Sequence, residues 1–485
     1  MSKSADRLKR YREKRSFDAT PEPGADGSAA GEGGRFVIQQ HHARRLHWDL
    51  RLERDGVLVS WALPRGVPID PKQNRLAVHT EDHPLEYIDF EGTIPKGQYG
   101  AGEMKVWDRG TYEAEKFEAK KVVVRFHGER VEGRYALFQT RGDDWMIHRM
   151  DPPPEGRDPF PERLEPMKAT LSKLPPDEEN WGFEIKWDGV RAIAYCQPGH
   201  LELESRNLRE ITGQYPEVRG LIEDLGAREA VLDGELVAFE TEGRPSFQRL
   251  QTRMHVASES EVRRRMRDVP VTYVIFDLLY LDGVSMLDSP YEERRTALEV
   301  LGLDGASWQT PAYHRGDGAR LLEASKAQRL EGIIAKRLES RYVPGRRTRE
   351  WLKVKNVRGQ EVVLGGWLPG KGRREGEIGA LLVGYYERDG KKRRLRYAGK
   401  VGTGFDASDL RMLAERLEPL ERDDSPFEGR QPEKGSIFVE PKLVAEVDFS
   451  EWTNAGTLRH PSYKGLRDDK PAKDVVREEA APPPS

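Results

Sequence analysis

A lysine followed closely by a glycine stands out in the stretch FEIKWDGVR, residues 183–191. If residues 183–186 form a strand, Glu184 and Lys186 share one face, because side chains alternate along a strand. Asp188–Gly189 predicts a turn, and Arg191 begins the returning strand. A lysine held on a rigid strand can present its amine to a ligand as a nucleophile. A plain hairpin with surface charge is the simpler alternative.

Further charged residues follow in short motifs between apolar runs. Lysine and arginine suit phosphate oxygens and carboxylates suit Mg²⁺, so together they fit a polyphosphate with a divalent metal. In WLKVK, Lys353 and Lys355 share one strand face, opposite Leu352 and Val354. The other members are Arg206 in SRN, Glu235 in DGE, Phe276 in VIFDLLYLDG, Glu331 in LEGIIAKR, and Arg467 and Lys470 in RDDK.

A second cluster is rich in histidine, with five of the 11 histidines between residues 41 and 83. The run HWDLRLE alternates, so His47, Asp49 and Arg51 face one side of a strand. Two histidines and a carboxylate are typical ligands of an open divalent-metal site. A structural metal site, or histidines hydrogen-bonded inside a barrel, is the alternative. Nearby candidates are His41, His83 and Tyr87.

Length and composition restrict the class of protein. A chain of 485 residues suggests about three domains. Only 36% of residues are hydrophobic, but 10 Trp, 16 Tyr and 15 Phe argue against general disorder. Neither a membrane-length apolar run nor a secretory h-region is present, which predicts no membrane association. Cys196 is the single cysteine, so a reducing cytoplasm fits best.

Charge is balanced overall but uneven locally. The net charge of −3 excludes a globally basic nucleic-acid binder. Residues 1–20 hold seven Lys/Arg against three acids, and residues 391–400 hold six and no acid. Such runs can follow a phosphate backbone, or they can be a solvated face or a flexible arm.

Composition shifts predict a multidomain α+β protein. The segments NLREITGQYPEVRGLIEDL and SFQRLQTRMHVASESEVRRRMRDV look largely helical, whereas VTYVIFDLLYL looks like an apolar strand. The predicted units are a flexible basic arm at 1–34, a barrel-like β-rich domain at 35–150, a Pro-rich linker at 151–166, an α+β domain at 167–357, a small β-rich barrel at 358–470 and a disordered tail at 471–485.

The motifs of the second half, KWDGVR, SRN, DGE, FDLLYLDG, EGIIAK, WLKVK and RDDK, resemble in order those of ATP-dependent DNA ligases, which are covalent nucleotidyltransferases. The resemblance spans about 167–470 and implies a nucleotidyltransferase domain followed by an OB-fold. It implies that Lys186 attacks the α-phosphate of ATP and forms lysyl-AMP. Like-charge repulsion from Lys353, Lys355 and a metal would favour the neutral amine.

The same resemblance implies a role for each of the other residues. Glu184 would read the adenine amino group and Phe276 would stack on the base. Arg191 and Arg206 would contact the nucleotide, and Glu235 and Glu331 would support Mg²⁺ or Mn²⁺. Lys353 and Lys355 would hold the α-phosphate. Arg467 and Lys470, carried by a mobile OB domain, would orient pyrophosphate.

The segments FVIQQHHARRLHWDLRLERDGVLVSWALPRG, RLAVHTEDHPLEY and GQYGAGEMKVWDRG resemble the 3′-phosphoesterase domain of bacterial DNA ligase D. This family joins double-strand DNA ends with Ku and uses Mn²⁺ to trim 3′-phosphates and 3′-ribonucleotides. The resemblance implies that His41, rather than the adjacent His42, binds metal with His47 and Asp49. Arg51, His83 and Tyr87 would hold the phosphate, with Gln39 and Arg75 in support.

Two departures and one absence qualify this resemblance. Arg65 stands where the family often has lysine, and the arm reads Arg15–Ser16 where an Arg-Asp pair is usual, with Glu22 following. Ribonucleotide trimming is therefore less firmly implied than phosphate removal. No segment is left over for a primase-polymerase domain, so gap filling is expected from a separate polymerase.

Three functions remain open. The favoured one is a DNA end-joining ligase with a fused 3′-end phosphoesterase, acting on DNA ends and nicks in the cytoplasm at the nucleoid. An RNA ligase or mRNA-capping nucleotidyltransferase would share the lysine chemistry. A DNA-end scaffold with an inactive phosphoesterase is the non-enzymatic alternative.

Overall fold

The computed structural model describes residues 7–24, 33–241, 243–254, 256, 258–356, 358–370, 377–389, 392–453 and 455–478. These residues form an N-terminal barrel, a central pair of sheets with helices, and a C-terminal β-rich domain. Strands predominate throughout. The predicted multidomain α+β organisation is confirmed.

The N-terminal domain is a closed antiparallel barrel because its first strand pairs with both its second and its sixth. Trp48, Leu50 and Leu52 point into its core, as the alternation in HWDLRLE predicts. A 3₁₀ helix spans Leu85–Asp89. The strands are β1 (Arg35–His42), β2 (Leu46–Arg54), β3 (Val57–Leu63), β4 (Arg75–His79), β5 (Gly92–Ile94), β6 (Gly102–Glu118), β7 (Lys121–Gly128), β8 (Glu132–Arg141) and β9 (Asp144–Arg149).

The prediction of a flexible arm over residues 1–34 is wrong for residues 7–24. Helix α1 spans Lys9–Glu13, and Tyr11 is fully buried against the barrel. The Arg15 guanidinium binds the carboxylates of Glu22 and Glu81 at 2.7 and 2.9 Å. The segment is ordered by buried ion pairs and one aromatic anchor, which its polar composition conceals. Residues 1–6 and 25–32 lie outside the described residues.

The central domain has two sheets. The first contains β10 (Lys168–Leu171), β11 (Trp181–Ile185), β19 (His314–Arg315), β20 (Gly332–Arg337) and β21 (Arg347–Lys355). The second contains β12 (Val190–Gln197), β13 (His200–Ser205), β14 (Ala230–Ala238), β15 (Val271–Leu281), β16 (Val284–Ser285), β17 (Asp304–Gly305) and β18 (Trp308–Gln309). The helices are α2 (Leu221–Leu225), α3 (Phe247–Met254), α4 (Glu259–Asp268), α5 (Tyr291–Val300) and α6 (Gly318–Ala327).

The helical and strand predictions here succeed unevenly. Helices α3 and α4 and strand β15 lie where the sequence predicts them. The segment NLREITGQYPEVRGLIEDL forms mainly 3₁₀ turns, at Thr212–Gln214 and Pro216–Gly220, before the short α2; another 3₁₀ turn lies at Glu178–Asn180. Pro216 has no amide hydrogen to donate and disfavours helical geometry at Tyr215, so a continuous helix cannot form.

The C-terminal domain confirms the predicted OB-fold unit. Helix α7 (Ala407–Leu417) begins with a capping box in which Asp406 accepts from the Asp409 amide. Two 3₁₀ turns lie at Glu418–Leu420 and Ala472–Asp474. The strands are β22 (Arg358–Pro369), β23 (Ile378–Asp389), β24 (Lys392–Val401), β25 (Glu421–Arg422), β26 (Ile437–Val439), β27 (Val444–Phe449), β28 (Glu451–Trp452), β29 (Leu458–Arg459) and β30 (Ser462–Leu466).

The prediction of a disordered tail from residue 471 is wrong for residues 471–478. Val475 is fully buried in the core of the OB domain, and the Tyr386 amide donates to its carbonyl oxygen at 2.7 Å. One apolar side chain and a strand-edge hydrogen bond hold this segment. Residues 479–485 lie outside the described part of the chain.

The helices within the described ranges are short, at most 11 residues. None of them combines the length and the apolar character that crossing a bilayer requires.

Candidate active sites

Lys186 lies where the chain passes from one central sheet to the other. It directly follows β11, which belongs to the first sheet, and β12 of the second sheet begins at Val190. KWDG is therefore a crossing between two sheets, not the turn of a hairpin. The crossing places Lys186 in a cleft of about 1120 Å³. This cavity also contains Glu184, Arg191, Arg206, Glu235, Phe276, Glu331, Lys353, Lys355 and Arg467.

Glu331 holds two lysines at once. The Lys186 Nζ contacts one carboxylate oxygen, and the Lys355 Nζ lies 3.2 Å from the other. Although burial opposes ionisation, Lys186 and Lys355 lower the pKa of Glu331 below its ordinary range. The sequence predicts like-charge repulsion of Lys186 by Lys353 and Lys355, but in the structure the Glu331 carboxylate lies between Lys186 and Lys355.

Lys353 has an unexpected partner in the C-terminal segment. Its Nζ lies 2.7 and 2.8 Å from the two carboxylate oxygens of Glu478. Burial opposes ionisation of this carboxyl, yet Lys353 and Lys355 lower the pKa of Glu478 to about 2. Glu478 is thus an anion inside the cleft, held by a lysine that the ligase resemblance assigns to the α-phosphate.

The residues assigned to adenine, Glu184 and Phe276, lie together around Lys336, whose Nζ is 4.5 Å from the Phe276 ring centroid. Glu184 accepts from the Tyr291 hydroxyl at 2.5 Å and lies 3.0 Å from the Lys336 Nζ. The Phe276 ring is half-buried and has the Arg191 guanidinium 5.0 Å from its centroid. Arg191 itself makes two hydrogen bonds to Asp233, at 2.6 and 2.8 Å. These partners fix Glu184 and Phe276 in position.

Three cations of the SRN and RDDK motifs also meet here. Arg467 lies in the cleft, bonded to Asp469 at 2.8 and 2.9 Å and to Glu446 at 2.9 Å. Lys470 contacts Glu361, whose other oxygen lies 3.6 Å from Arg206. The OB domain is therefore closed onto the central domain, with its motif residues facing the nucleotide motifs.

Glu235 in the cleft and Asp188 of the KWDG crossing have environments that disfavour their charged forms. Burial raises the pKa of Glu235 to about 8. Burial and the nearby carboxylates of Glu446 and Glu331 raise the pKa of Asp188 to about 6. A divalent cation bound beside such groups would favour their ionised forms, which fits oxygen ligation.

The histidine cluster of the barrel is also assembled. His41 of β1 and His47 of β2 are register partners, and their ligand atoms lie within 4.8 Å of one another and of Asp49. His42 pairs with Leu46 instead. The His41 Nε2 donates to the Gly100 carbonyl at 2.9 Å, and the His47 Nδ1 donates to the Arg45 carbonyl at 3.0 Å. The other ring nitrogen of each imidazole faces Asp49, at 3.6 Å for His41 and 3.7 Å for His47, so the three side chains converge as metal ligation requires.

Arg51 connects this cluster to the rest of the barrel site. Its guanidinium donates to Asp49 at 3.0 Å and to the Gln39 amide oxygen at 2.7 Å. It also lies 4.6 Å from the centre of the Tyr87 ring. Although burial opposes its ionisation, Arg51 with the two histidines holds the pKa of Asp49 below its usual range. Gln39 itself donates to the Tyr87 and Phe90 carbonyls at 3.1 and 2.8 Å.

The N-terminal segment completes the barrel site. Tyr87 donates its hydroxyl hydrogen to Glu22 at 2.8 Å, and the Arg15 guanidinium donates to the His83 Nε2 at 3.2 Å. Burial and the nearby charges of Arg51 and Arg15 hold the pKa of His83 well below its usual value. Neutral His83 can therefore accept from Arg15, and the segment 7–24 contributes directly to the site.

Arg75, which is expected to support the barrel site, lies elsewhere. Arg75 is buried where the barrel meets the central domain, 3.6 Å from Glu229, and donates to the Val67 carbonyl at 3.1 Å. Arg65, whose carbonyl accepts from Arg75, is at the same contact. The expected support of the phosphate site by Arg75 is therefore not what the structure shows. Strand β4 carries the side chain to the other end of the barrel.

The basic run of β24 pairs with acids of its own domain. Arg393, Arg394, Arg396 and Lys400 lie 3.2, 3.4, 2.8 and 2.5 Å from carboxylates of Asp474, Glu428, Glu387 and Glu433. These pairs are largely exposed, so they stabilise the fold little. They neutralise the described cations of the run, which makes a role in following a phosphate backbone less favoured.

Three regions of the chain match models of known protein families. Residues 39–139 match the family model of the DNA ligase D 3′-phosphoesterase domain, residues 162–355 match the ATP dependent DNA ligase domain, and residues 374–470 match the ATP dependent DNA ligase C terminal region. The three matches follow one another in a single chain.

The chain is similar to proteins of the DNA ligase D family. It is 46% identical over 483 residues to the multifunctional non-homologous end joining protein LigD of Mycobacterium bovis, covering 98% of this chain and 61% of that protein. It is 38% identical over 536 residues to the Pseudomonas aeruginosa protein of the same name, covering 98% and 62%. The chain thus spans about three fifths of the length of these relatives.

A solved structure named mycobacterial DNA ligase D complexed with ATP and MES is 42% identical to this chain. The match covers 65% of this chain and 98% of that one, with a TM-score of 0.49. The three family matches thus place a 3′-phosphoesterase domain and an ATP-dependent DNA ligase domain in this one chain.

Some residues of these sites were not singled out from the sequence. They are Glu81 in the barrel site, and Arg347, Glu446 and Glu478 in the ligase cleft. Arg347 and Glu478 lie outside the motifs. The apolar pair Val475–Val476 just before Glu478 is a signal of an anchored segment that composition alone obscures.

Proposed function

We propose that this chain seals DNA ends and nicks with ATP and trims DNA 3′ ends, as one component of end joining. The observation that carries the proposal is the position of Lys186 at the crossing between two sheets, in one cleft with the cations and carboxylates of the ligase motifs. The DNA ligase D family domains support it. An RNA-sealing or capping enzyme is less favoured, because a 3′-phosphoesterase domain occupies the same chain.

In the proposed ligase reaction, the Lys186 Nζ attacks the α-phosphate of ATP, a P–N bond forms and pyrophosphate leaves. The AMP then passes to a DNA 5′-phosphate and frees the lysine. An adjacent 3′-hydroxyl attacks the activated phosphate, and AMP leaves as the new phosphodiester forms. Glu184 and Phe276 would hold adenine, and Arg191 and Arg206 would hold the rest of the nucleoside.

The remaining cleft residues would act on the phosphates. Lys353 and Lys355 would bind the α-phosphate, and Arg467 and Lys470 would orient pyrophosphate. Glu235 and Glu331 would hold Mg²⁺ or Mn²⁺, which supplies positive charge beside the phosphates when bound. The two oxygens of Glu331 reach both Lys186 and Lys355, so this carboxylate would also align the nucleophile.

In the barrel, His41, His47 and Asp49 would hold Mn²⁺, which polarises a bound phosphate ester. Arg51, His83 and Tyr87 would bind the 3′-phosphate, with Gln39 orienting Arg51 through its amide oxygen. Trimming would leave the 3′-hydroxyl that the ligase needs. Tethering both activities to one chain raises their effective concentration at a DNA end. Ku would deliver the ends, and the enzyme would act in the cytoplasm at the nucleoid.

The decisive experiment compares three forms of the full chain: wild type, Lys186→Ala and His47→Ala. Each is treated with pyrophosphate to remove bound AMP and is then incubated with α-labelled ATP and Mg²⁺ or Mn²⁺. A second assay follows release of phosphate from a DNA 3′ end. Nicked DNA and nicked RNA, and ATP and GTP, are compared in parallel.

We expect Lys186→Ala to lose protein labelling and keep 3′-phosphate release, and His47→Ala to do the reverse. Label on the wild type should be discharged by nicked DNA. If a folded variant loses both activities, the two sites are not independent and the proposal fails. Labelling with GTP, or discharge only by RNA, would favour the capping or RNA-ligase alternative. Absence of any 3′-phosphate release would favour an inactive phosphoesterase.

A further inference from the structure

Glu478 occupies a place in the ligase cleft that neither the motifs nor the ligase chemistry explains. Its carboxylate lies between the OB domain, which carries it, and Lys353 of the central domain, with both oxygens within 2.8 Å of the Lys353 Nζ. The side chain is 16% exposed. It lines the same cavity as Lys186, Arg206 and Arg347.

The segment that carries Glu478 is fastened close to this residue. Gln360, which is buried, donates to the Val476 carbonyl and accepts from the Glu478 amide, both at 3.0 Å. Val475 is fixed in the OB core just before it. The backbone of the segment is therefore positioned, and the carboxylate enters the cleft as a fixed group rather than as a loose chain end.

The other carboxylates of this part of the cleft have partners that belong to the ligase motifs. Glu331 pairs with Lys186 and Lys355, Glu446 with Arg467, and Glu361 with Lys470. Glu478 lies outside the motifs, and its partner Lys353 is a motif lysine that pairs with no other carboxylate among the described residues. A carboxylate and a phosphate group both accept charge-assisted hydrogen bonds, so one can stand in the place of the other.

We propose that Glu478 is an intramolecular competitor of the ATP polyphosphate, bound to Lys353 in the empty cleft and displaced when ATP binds. This inference rests on the proposed ligase function. It also assigns Arg347, which lines the cleft beside Glu478, to the polyphosphate site. Because Glu478 must leave Lys353 before ATP can bind, the apparent affinity for ATP is the intrinsic affinity multiplied by the fraction of molecules in which the site is free.

The displacement has a structural consequence. The Glu478–Lys353 contact bridges the OB and central domains, so releasing it removes one of the interactions that hold the two domains closed. ATP entry and opening of the tail contact are thereby coupled. Once pyrophosphate has left, Glu478 can return to Lys353 and disfavour the reverse reaction.

The test uses the full chain, freed of AMP by pyrophosphate and then desalted. Initial rates of labelling are measured against ATP concentration for wild type, Glu478→Gln and Glu433→Gln. Glu433 also belongs to the OB domain and pairs with a single lysine, Lys400, but it does not line the cleft. Glu433→Gln therefore removes the same negative charge away from the cleft. We expect Glu478→Gln to lower the apparent KM for ATP about fivefold to tenfold, because no carboxylate then occupies Lys353 in competition with ATP. The saturating rate should not change.

The control Glu433→Gln should match wild type. An unchanged or raised KM in Glu478→Gln would overturn the proposal, and a raised KM would show that Glu478 positions Lys353 for ATP. Loss of labelling in all three chains would instead refute the proposed ligase function. Calorimetric binding of inorganic pyrophosphate gives a readout without catalysis: Glu478→Gln should bind it about fivefold more tightly, since no tail carboxylate competes.

Discussion

The Tyr87 hydroxyl donates to the Glu22 carboxylate at 2.8 Å, across 65 residues of chain. Glu22 also binds Arg15, and Arg15 reaches His83. Two residues of the N-terminal segment are thus part of the phosphoesterase site, through partners that the family resemblance assigns to the phosphate. The segment is a structural component of this site and not an independent basic arm.

Arg15→Ala is therefore expected to lower 3′-phosphate release by about tenfold to a hundredfold, because His83 and Tyr87 lose the groups that orient them. Labelling of Lys186 with ATP should not change, since the ligase cleft is in another domain. The measurement is the rate of phosphate release from a DNA 3′ end at saturating metal. Lys9→Ala is the matched control: Lys9 is in the same segment and pairs only weakly with Glu13, at 3.9 Å on the surface. Equal rates for both variants would contradict a role for the segment in the site.

The sequence predicts the active sites better than it predicts the ends of the chain. Alternation in HWDLRLE and WLKVK places the correct side chains on one face, because strand geometry depends on local sequence. The predictions for the N-terminal arm and the C-terminal tail are wrong because the order of these segments depends on single long-range contacts. Tyr11 packs on the barrel, and Val475 packs in the OB core. The average composition of a segment does not reveal a single anchoring residue of this kind.

The sequence also does not predict that the KWDG segment passes from one sheet to the other. A strand, a turn and a strand are all present, but pairing sends β11 and β12 into different sheets. Pairing partners lie far along the chain, with β11 next to β20 and β12 next to β14. Local propensity carries no information about such distant partners.

Gly189 is required for a different reason from the turn that Asp188–Gly189 predicts. A Cβ atom at this position would lie 2.2 Å from the Leu236 carbonyl oxygen and 2.9 Å from the Glu235 Cγ. We expect Gly189→Ala to force the crossing away from β14, at a cost of about 1–3 kcal/mol in the free energy of unfolding. Displacement of Lys186 should reduce labelling by ATP at least about tenfold.

The control for this variant is Gly213→Ala, because a Cβ there would meet nothing within 4 Å. Its labelling rate and its thermal midpoint should equal those of wild type. If Gly189→Ala also labels at the wild-type rate, close approach of the two backbones does not constrain the nucleophile.

Cys196 should report unfolding of the central domain. It is the single cysteine, its side chain is fully buried on β12, and burial raises the pKa of its thiol. We expect no reaction with a thiol reagent under native conditions over a time in which the denatured chain reacts completely. Protection of about a hundredfold or more is expected, since reaction requires opening of the strand. Fast stoichiometric labelling of the native chain would show that β12 opens readily.

Glu229 connects the central domain to both the Pro-rich linker and the barrel. Its carboxylate lies 2.8 Å from Arg157 of the Pro-rich linker and 3.6 Å from Arg75 of the barrel. Arg157 also donates to the Asp282 carbonyl at 2.8 Å. The linker is therefore fastened to the central domain at a residue after which trypsin can cut.

Glu229→Gln should weaken this attachment and raise the rate of tryptic cleavage after Arg157 by about tenfold, which corresponds to about 1.4 kcal/mol of easier local opening. The fragments, identified by mass spectrometry, should separate the barrel from the ligase domains. Glu223→Gln, an exposed glutamate in the same domain, should leave cleavage unchanged. Because neither catalytic cluster contains Glu229, both activities should persist in the uncut variant. Cleavage at the wild-type rate would mean that other contacts, such as the approach of Gly199 to the Pro64 carbonyl, are sufficient to hold the linker.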